Sequence, residues 1–262
     1  MPPDLSQHQR EIERSRLCWE RKPLLQEEFR RFHALIASWL QRDRAGPIVE
    51  LGSGIGVIKR VIPECLTTDL FPNPWLDRVE NVYHLNFGDG AVSNLILFDV
   101  FHHLRYPGTA LQECRRVLAP GGRAIVFDPC VSLLGRLVYG ILHHEPMRLR
   151  QPIEWLAPEG WAHRDDAYYA AQGNAARVFR GREFRARLCG WRMLALLRLP
   201  ALGYLASGGY SKPHACPATW WPLLRVLERL CAPFPLLFAT RMLVVLEKTE
   251  AGPADGSGPT KA

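Results

Sequence analysis

Gly52, Gly54 and Gly56 alternate with single residues directly after the apolar pair Ile48-Val49 and the acid Glu50, and a helix-compatible stretch follows from Val57 to Ile62. This pattern predicts strand, tight loop, helix. Glycines at alternate positions let the backbone take positive φ and let a ligand lie against main-chain atoms, where a Cβ would intrude. The loop therefore reads as a cradle for a small molecule at the carboxyl end of a strand.

The spacing also says which small molecule is disfavoured. A dinucleotide fingerprint needs G-x-G-x-x-G, whereas here the third position of that pattern is Val57. A carboxylate at Glu50 would repel a phosphate and attract a cation. A nicotinamide-dependent oxidoreductase is thus the weaker alternative. The pattern resembles motif I of the class I S-adenosylmethionine-dependent methyltransferases. The resemblance implies that Glu50 orients the methionine part of that cofactor, with Gly52, Ser53, Gly54 and Gly56 passing beneath it. A plain turn between strand and helix is the competing reading for the loop taken alone.

Asp69 ends the brief strand-like run Cys65 to Leu70, 19 residues after Glu50. An acid at about 20 residues beyond a glycine loop accepts hydrogen bonds from ribose hydroxyls, because the second strand ends beside the first. The resemblance gives Asp69 and Leu70 that place; the other reading is a loop aspartate capping a turn before Pro72-Asn73-Pro74. Leu85 to Gly90 is similar to the family's loop near the adenine, which would put Asn86 and Phe87 there, with Glu80 and Asn81 both open at the position whose acid in relatives binds the amino group. Leu95 to Val100 is apolar except for Asp99, the mark of a strand buried on both faces. Asp99 and Val100 then sit at the carboxyl edge of the sheet, where ligands gather. His102 and His103 follow. His103 is a candidate general base, since imidazole takes a proton near neutral pH; relatives that carry His-His-Leu irrespective of substrate favour a structural or cofactor-shaping role. Leu111 to Leu118 reads as a helix, and Ala119-Pro120-Gly121-Gly122 as its stop before the strand Arg123 to Phe127. Helix, Pro-Gly-Gly turn and apolar strand is again a family feature, and all four pieces arrive in family order across residues 47–128.

Beyond Asp128 the residues are read directly. Residues 129–181 are longer than an ordinary connection after a fifth strand and contain His143-His144-Glu145-Pro146. Leaving the sheet at its carboxyl edge, this segment is placed to cover the cofactor and line an acceptor pocket. His144 and Glu145 are candidate proton-handling groups, and a polar turn ending a helix is the alternative. No metal spacing appears, so no metal is expected. Strands are predicted at Trp191 to Leu199 and Arg241 to Glu247. Between them, residues 200–235 hold Ser207-Gly208-Gly209-Tyr210-Ser211, Trp220-Trp221 and a helix from Leu223 to Leu230. Ser-Gly-Gly-Tyr faintly resembles methyltransferases that accompany glycan biosynthesis. The aromatic and apolar residues of this segment are expected to form the core of a cap, although they also permit sugar stacking or peripheral contact with a lipid-linked acceptor.

Composition narrows the setting. A formal charge of +7 invites nucleic acid, yet the 33 basic residues are scattered, only five are lysines, and no basic stripe forms apart from the short cluster Arg177 to Arg187. No nucleic-acid partner is expected. Seven cysteines without a C-x-x-C pair argue for a reducing compartment. The polar start from Met1 to Arg16 does not read as a signal peptide, and no apolar run is long enough to span a bilayer, so a cytoplasmic location is expected. The predicted architecture is a doubly wound, seven-stranded, mostly parallel Rossmann-like α/β sheet with an antiparallel last strand and helical cap insertions. Residues 1–44 would form an N-terminal helical cap, 45–249 the methyltransferase domain with insertions at about 129–181 and 200–235, and 250–262 a disordered tail. The function so implied is methyl transfer from S-adenosylmethionine to a small-molecule or glycan-type acceptor; a cofactor-binding protein of the same fold without turnover is the alternative.

Overall fold

The structure is a computed structural model that describes residues 5–142, 146–165 and 169–249. The tail at 250–262 and the pair His144 and Glu145 lie outside the described residues. Two helices lead the chain, α1 (Leu5–Glu20) and α2 (Pro23–Ala37). They divide at Pro23, which sits in the first turn of α2, where a missing N–H costs nothing. Then come β1 (Ile48–Leu51), β2 (Leu66–Asp69), the two-residue β3 (Arg78–Val79), β4 (Val92–Phe98), α3 (Pro107–Val117) and β5 (Leu118–Pro129). After β5 follow α4 (Leu133–Leu137), a π-helical turn at Val138–Leu142, α5 (Asn174–Arg180), α6 (Arg182–Arg185) and β6 (Trp191–Leu199). The last part is α7 (Leu202–Ser207), α8 (Trp221–Cys231), α9 (Pro235–Phe238) and β7 (Arg241–Lys248).

The seven strands form one sheet in the order β3-β2-β1-β4-β5-β7-β6. The first five are parallel, and β7 runs antiparallel to both of its neighbours. This is the expected Rossmann-like arrangement. Both faces of the sheet are covered, which is why β1 and β4 are buried at every position. Alternate residues go to opposite cores. Val49, Leu95, Leu97, Ala124, Val126 and Val244 pack toward α3 and α5, whereas Ile48, Ile96, Phe98, Ile125, Phe127 and Val245 pack toward α2. Leu25, Phe29, Phe32 and Ile36 recur at helical spacing on α2 and meet that second face, with the Phe32 ring tilted against Phe127 at 4.8 Å between centroids and Phe29 against Phe98 at 5.1 Å.

Local details depart from expectation in two places. The stretch after the glycine loop forms a single 3-10 turn, Val57–Arg60, with Gly56 in the left-handed region just before it. The Ala119-Pro120-Gly121-Gly122 turn does not separate α3 from a later strand: Leu118 already pairs with Val92, and Arg123 with Asn94, so the four residues between loop out as a bulge within β5. On the other side of the sheet, residues 200–240 leave at Leu199 and return at Arg241, which are direct partners in the β6–β7 ladder.

Candidate functional site

The glycine loop is stitched to the end of β2. Ser53 donates its N–H to the Thr68 carbonyl at 2.8 Å, its hydroxyl donates to the Glu50 carbonyl at 3.1 Å, and Gly54 N donates to Asp69 Oδ2 at 2.9 Å. Asn73 Nδ2 holds the Gly54 carbonyl from the far side at 3.0 Å. These bonds fix a loop whose Gly52, Gly54 and Gly56 all have left-handed φ, from 55° to 70°. The glycines serve different needs. A Cβ on Gly52 would lie 2.4 Å from Val100 Cγ2, so that residue lets the β4 edge close onto the loop. A Cβ on Gly54 would meet nothing within 4 Å, so the space in front of Gly54 is open to a ligand.

Glu50 lies at the floor of this loop, buried at 3% exposure, and its Oε2 has no hydrogen-bond partner among the described residues. A buried carboxylate oxygen without a donor is costly. Burial pushes the Glu50 carboxyl up to about 8, Ser53 pulls it down, and the neighbouring Asp69 charge adds to the rise. The donor set suits a cationic ammonium, so the residues present fit the amino-acid part of S-adenosylmethionine. Two consequences are measurable. Below pH 8, binding of such a cation should release a proton from Glu50, read by calorimetry in buffers of different ionisation enthalpy and absent in Glu50→Gln. Because the folded state holds this proton more tightly than the unfolded chain, the ligand-free protein should lose stability relative to Glu50→Gln as pH rises from about 4.5 through about 8.

The other predicted cofactor residues are arranged around this floor. Asp69 Oδ1 accepts from its neighbour Leu70 N at 2.7 Å, and the Leu70 side chain is exposed. Glu80 N donates to the Asp69 carbonyl at 3.0 Å, and the buried Glu80 carboxylate accepts from Asn86 N and Nδ2 at 2.8 and 3.2 Å. Thus Glu80, and not Asn81, ties Asn86 to the end of β2. The half-buried Phe87 ring lies under the Arg78 guanidinium, 5.3 Å away. Val100 abuts Gly52, while the adjacent Asp99 faces elsewhere.

Asp99 lines a second space, a cavity of about 500 Å³ shared with His102, His103, Tyr139, Tyr204 and Arg241. Arg241, at the start of β7, is buried and makes an ion pair with Asp99 while its guanidinium lies 4.2 Å from the Tyr204 ring centroid. Burial alone would lower the Arg241 pKa, but the Asp99 charge and hydrogen bond hold it above its ordinary value. His102 Nδ1 is 3.0 Å from Asp128 Oδ1, both buried, and burial pushes the Asp128 carboxyl up while the imidazole pulls it down. His103 Nδ1 donates to the Tyr169 carbonyl at 2.9 Å. Ligand atoms of Asp99, His102 and Asp128 come within 4.8 Å of one another, a spacing a metal could bridge. Arg241 already supplies a positive charge to Asp99 there, which disfavours a second cation by like-charge repulsion.

Cradle and cavity adjoin through the consecutive residues Asp99 and Val100. Tyr210, from the Ser-Gly-Gly-Tyr stretch, lines the cavity; burial raises its hydroxyl well above the ordinary range, and Tyr204, Asp99 and Glu50 charges add to this. Sequence reading missed Asp128, Tyr139, Tyr204 and Arg241. The signal for Asp128 was its place at the end of β5, beside the β4 edge that was singled out. Arg241 was read only as the start of a strand.

Residues 50–126 match the family described as a methyltransferase domain, a span that takes in the glycine loop, Asp69, the β4 edge and the β5 bulge. No curated protein matches the sequence. Among solved structures, a chain of the complex between the Haloferax volcanii Trm112 methyltransferase activator and its methyltransferase superposes with a TM-score of 0.51 at 15% identity, over 86% of this chain and 92% of that one. A SAM-dependent methyltransferase from Archaeoglobus fulgidus gives 0.50 at 11% identity, over 85% and 94%. At such identities the likeness is one of fold.

Proposed function

We propose that this chain, which carries a class I S-adenosylmethionine-dependent methyltransferase domain, transfers the methyl group to a small hydroxylated acceptor, such as a sugar unit of a glycan, held in the cavity beside Asp99. The observation that carries the reading is the unpartnered, buried Glu50 oxygen beneath an open Gly54, directly next to a cavity lined by proton-handling groups. Glu50, Gly52, Ser53, Gly54, Gly56, Asp69, Leu70, Asn86, Phe87 and Val100 would hold the cofactor, which when bound supplies an electrophilic sulfonium methyl. Asp99 belongs with the acceptor side in this reading, because Arg241 and the cavity claim its carboxylate.

The chain's own contribution is alignment and proton handling. Tyr139, Tyr204 and Tyr210 wall the cavity and confine an acceptor beside Asp99 and His102. His102 takes the acceptor hydroxyl proton, with Asp128 holding its Nδ1 and stabilising the imidazolium that results. His103, half-buried beside it, shapes the cavity through its bond to Tyr169. His102→Asn keeps a donor toward Asp128 but removes the base, so kcat should fall about hundredfold. Cofactor affinity should stay unchanged; wild-type turnover would remove His102 from this role.

The reading as a whole is tested by transfer of labelled methyl from S-adenosylmethionine into a cell extract, with identification of the product. Calorimetry separates the alternatives. S-adenosylhomocysteine should bind and NAD(P)H should not. Binding without label transfer to any extract component would leave a cofactor-binding protein without turnover.

A further inference from the structure

The helix α8 is built inside out. Its one acid, Glu228, is buried, and its Oε2 pairs with Arg31 of α2 at 3.0 Å while its Oε1 accepts from Gly203 N of α7 at 3.0 Å. Trp221 on the same side donates its Nε1 to the buried Glu28 Oε1 at 2.9 Å. The polar side is therefore clamped to the protein. The opposite side carries Leu223, Val226, Leu227 and Leu230 at three- and four-residue spacing, all between 40% and 66% exposed. The expectation that these residues form the core of a cap is not met.

The apolar face extends past α8. Trp220 precedes it, and Phe234, Leu236 and Leu237 follow it, all in the same range of exposure. Leu237 accepts a hydrogen bond from Ser132 Oγ at 3.1 Å, which brings α4 alongside with exposed Leu133 and Leu137. A face of this extent on a soluble chain marks an interaction surface.

Charge identifies the occupant. Among residues 200–240 the only acid in the sequence is Glu228, which is buried, whereas Lys212 and Arg229 are exposed. Residues 131–142 contain one charge, the exposed Arg136. A second copy of the chain would set these cations against each other with no acid to answer them. An anionic surface answers them all, and an apolar arc flanked by arginines and a tryptophan is the make-up of an interfacial helix. We propose that this face docks on an anionic lipid bilayer. Val138 and Tyr139, next to α4, and Tyr204 and Leu205, on α7, wall the cavity, so the docked segments are those that enclose the acceptor. Resting on the methyl-transfer reading, this makes the acceptor a polar group carried by a lipid.

The test is co-sedimentation with vesicles of phosphatidylcholine alone and of an equal mixture with phosphatidylglycerol. The wild-type protein should pellet with the mixture and much less with phosphatidylcholine. Leu227→Glu with Leu230→Glu should lower partition more than about tenfold, and Arg229→Ala about fivefold. Both variants should keep the far-ultraviolet circular dichroism and the S-adenosylhomocysteine affinity of the wild type. Wild-type protein that stays in solution with the anionic vesicles would overturn the proposal. So would a concentration-dependent dimer that dissolves in the double variant, which would make a second copy the occupant. Because docking is read without cofactor, a failure here leaves methyl transfer standing, and a failure of cofactor binding leaves docking standing.

Discussion

Gly54→Val is expected to abolish S-adenosylmethionine binding while leaving a folded protein. The new side chain would project into the open space before Gly54, where no protein atom lies within 4 Å, and would fill the cradle that the ligand needs. Its cost to the fold is the left-handed backbone at φ 55°, about 1–2 kcal/mol for a side chain there, small against a typical stability of about 5–15 kcal/mol. The loss in affinity should exceed about hundredfold, close to 3 kcal/mol. Titration calorimetry with S-adenosylhomocysteine and a thermal melt measured together decide the matter, and unchanged affinity would remove the loop from the cofactor site. Gly52→Val is a poorer probe. Its Cβ would strike Val100 first, so a loss of binding would be mixed with displacement of the β4 edge.

The second large effect concerns Asp99 and Arg241. Asp99→Asn keeps a residue that tolerates the positive φ of 56° but strips the charge that faces a guanidinium only 2% exposed. Removing one partner of a buried pair costs about 3–5 kcal/mol; with the Asp99 side chain 29% exposed, about 2–3 kcal/mol is expected. For a chain of this size that is a fall in melting temperature of about 5–10 °C. Arg241→Met should be milder, about 1 kcal/mol, because the carboxylate left behind can hydrate through the cavity while the methionine fills the apolar site against Tyr204. Equal losses in the two variants, measured by urea unfolding, would show that the stranded Arg241 charge is not the source of the larger cost.

The parts of this molecule that were legible in its sequence are those where a local pattern dictates a local structure. Alternating glycines after an apolar pair dictate the cradle, and the apolar run through Phe98 dictates a strand covered on both sides. The remainder depends on contacts between distant residues. Asp99 meets Arg241 142 positions later, and Asp128 meets His102 26 positions earlier, through sheet order that no spacing rule expresses. Periodicity found α8 but assigned its apolar side inward. Helical spacing says which residues share a face, and the buried partners of Glu228 on α2 and α7 decide which face turns in. The unpartnered oxygen of Glu50 likewise needs three-dimensional accounting, since its fault is an absence.

Leu199 and Arg241 face each other across the β6–β7 ladder, and Thr240 N donates to the Leu199 carbonyl at 2.9 Å. The chain that departs at one returns at the other, so residues 200–240 form an excursion with a closed base. Another insert can join the same two strands in the same register, provided that it also answers the buried Glu28 and half-buried Arg31 of α2, which Trp221 and Glu228 hold here. If the cavity holds the acceptor as proposed, the excursion supplies one wall of it, from Tyr204 to Ala215, and the β4 and β5 edges supply the other. Grafting the excursion with its α2 partners onto another domain of the same fold therefore measures how far that one wall sets acceptor preference.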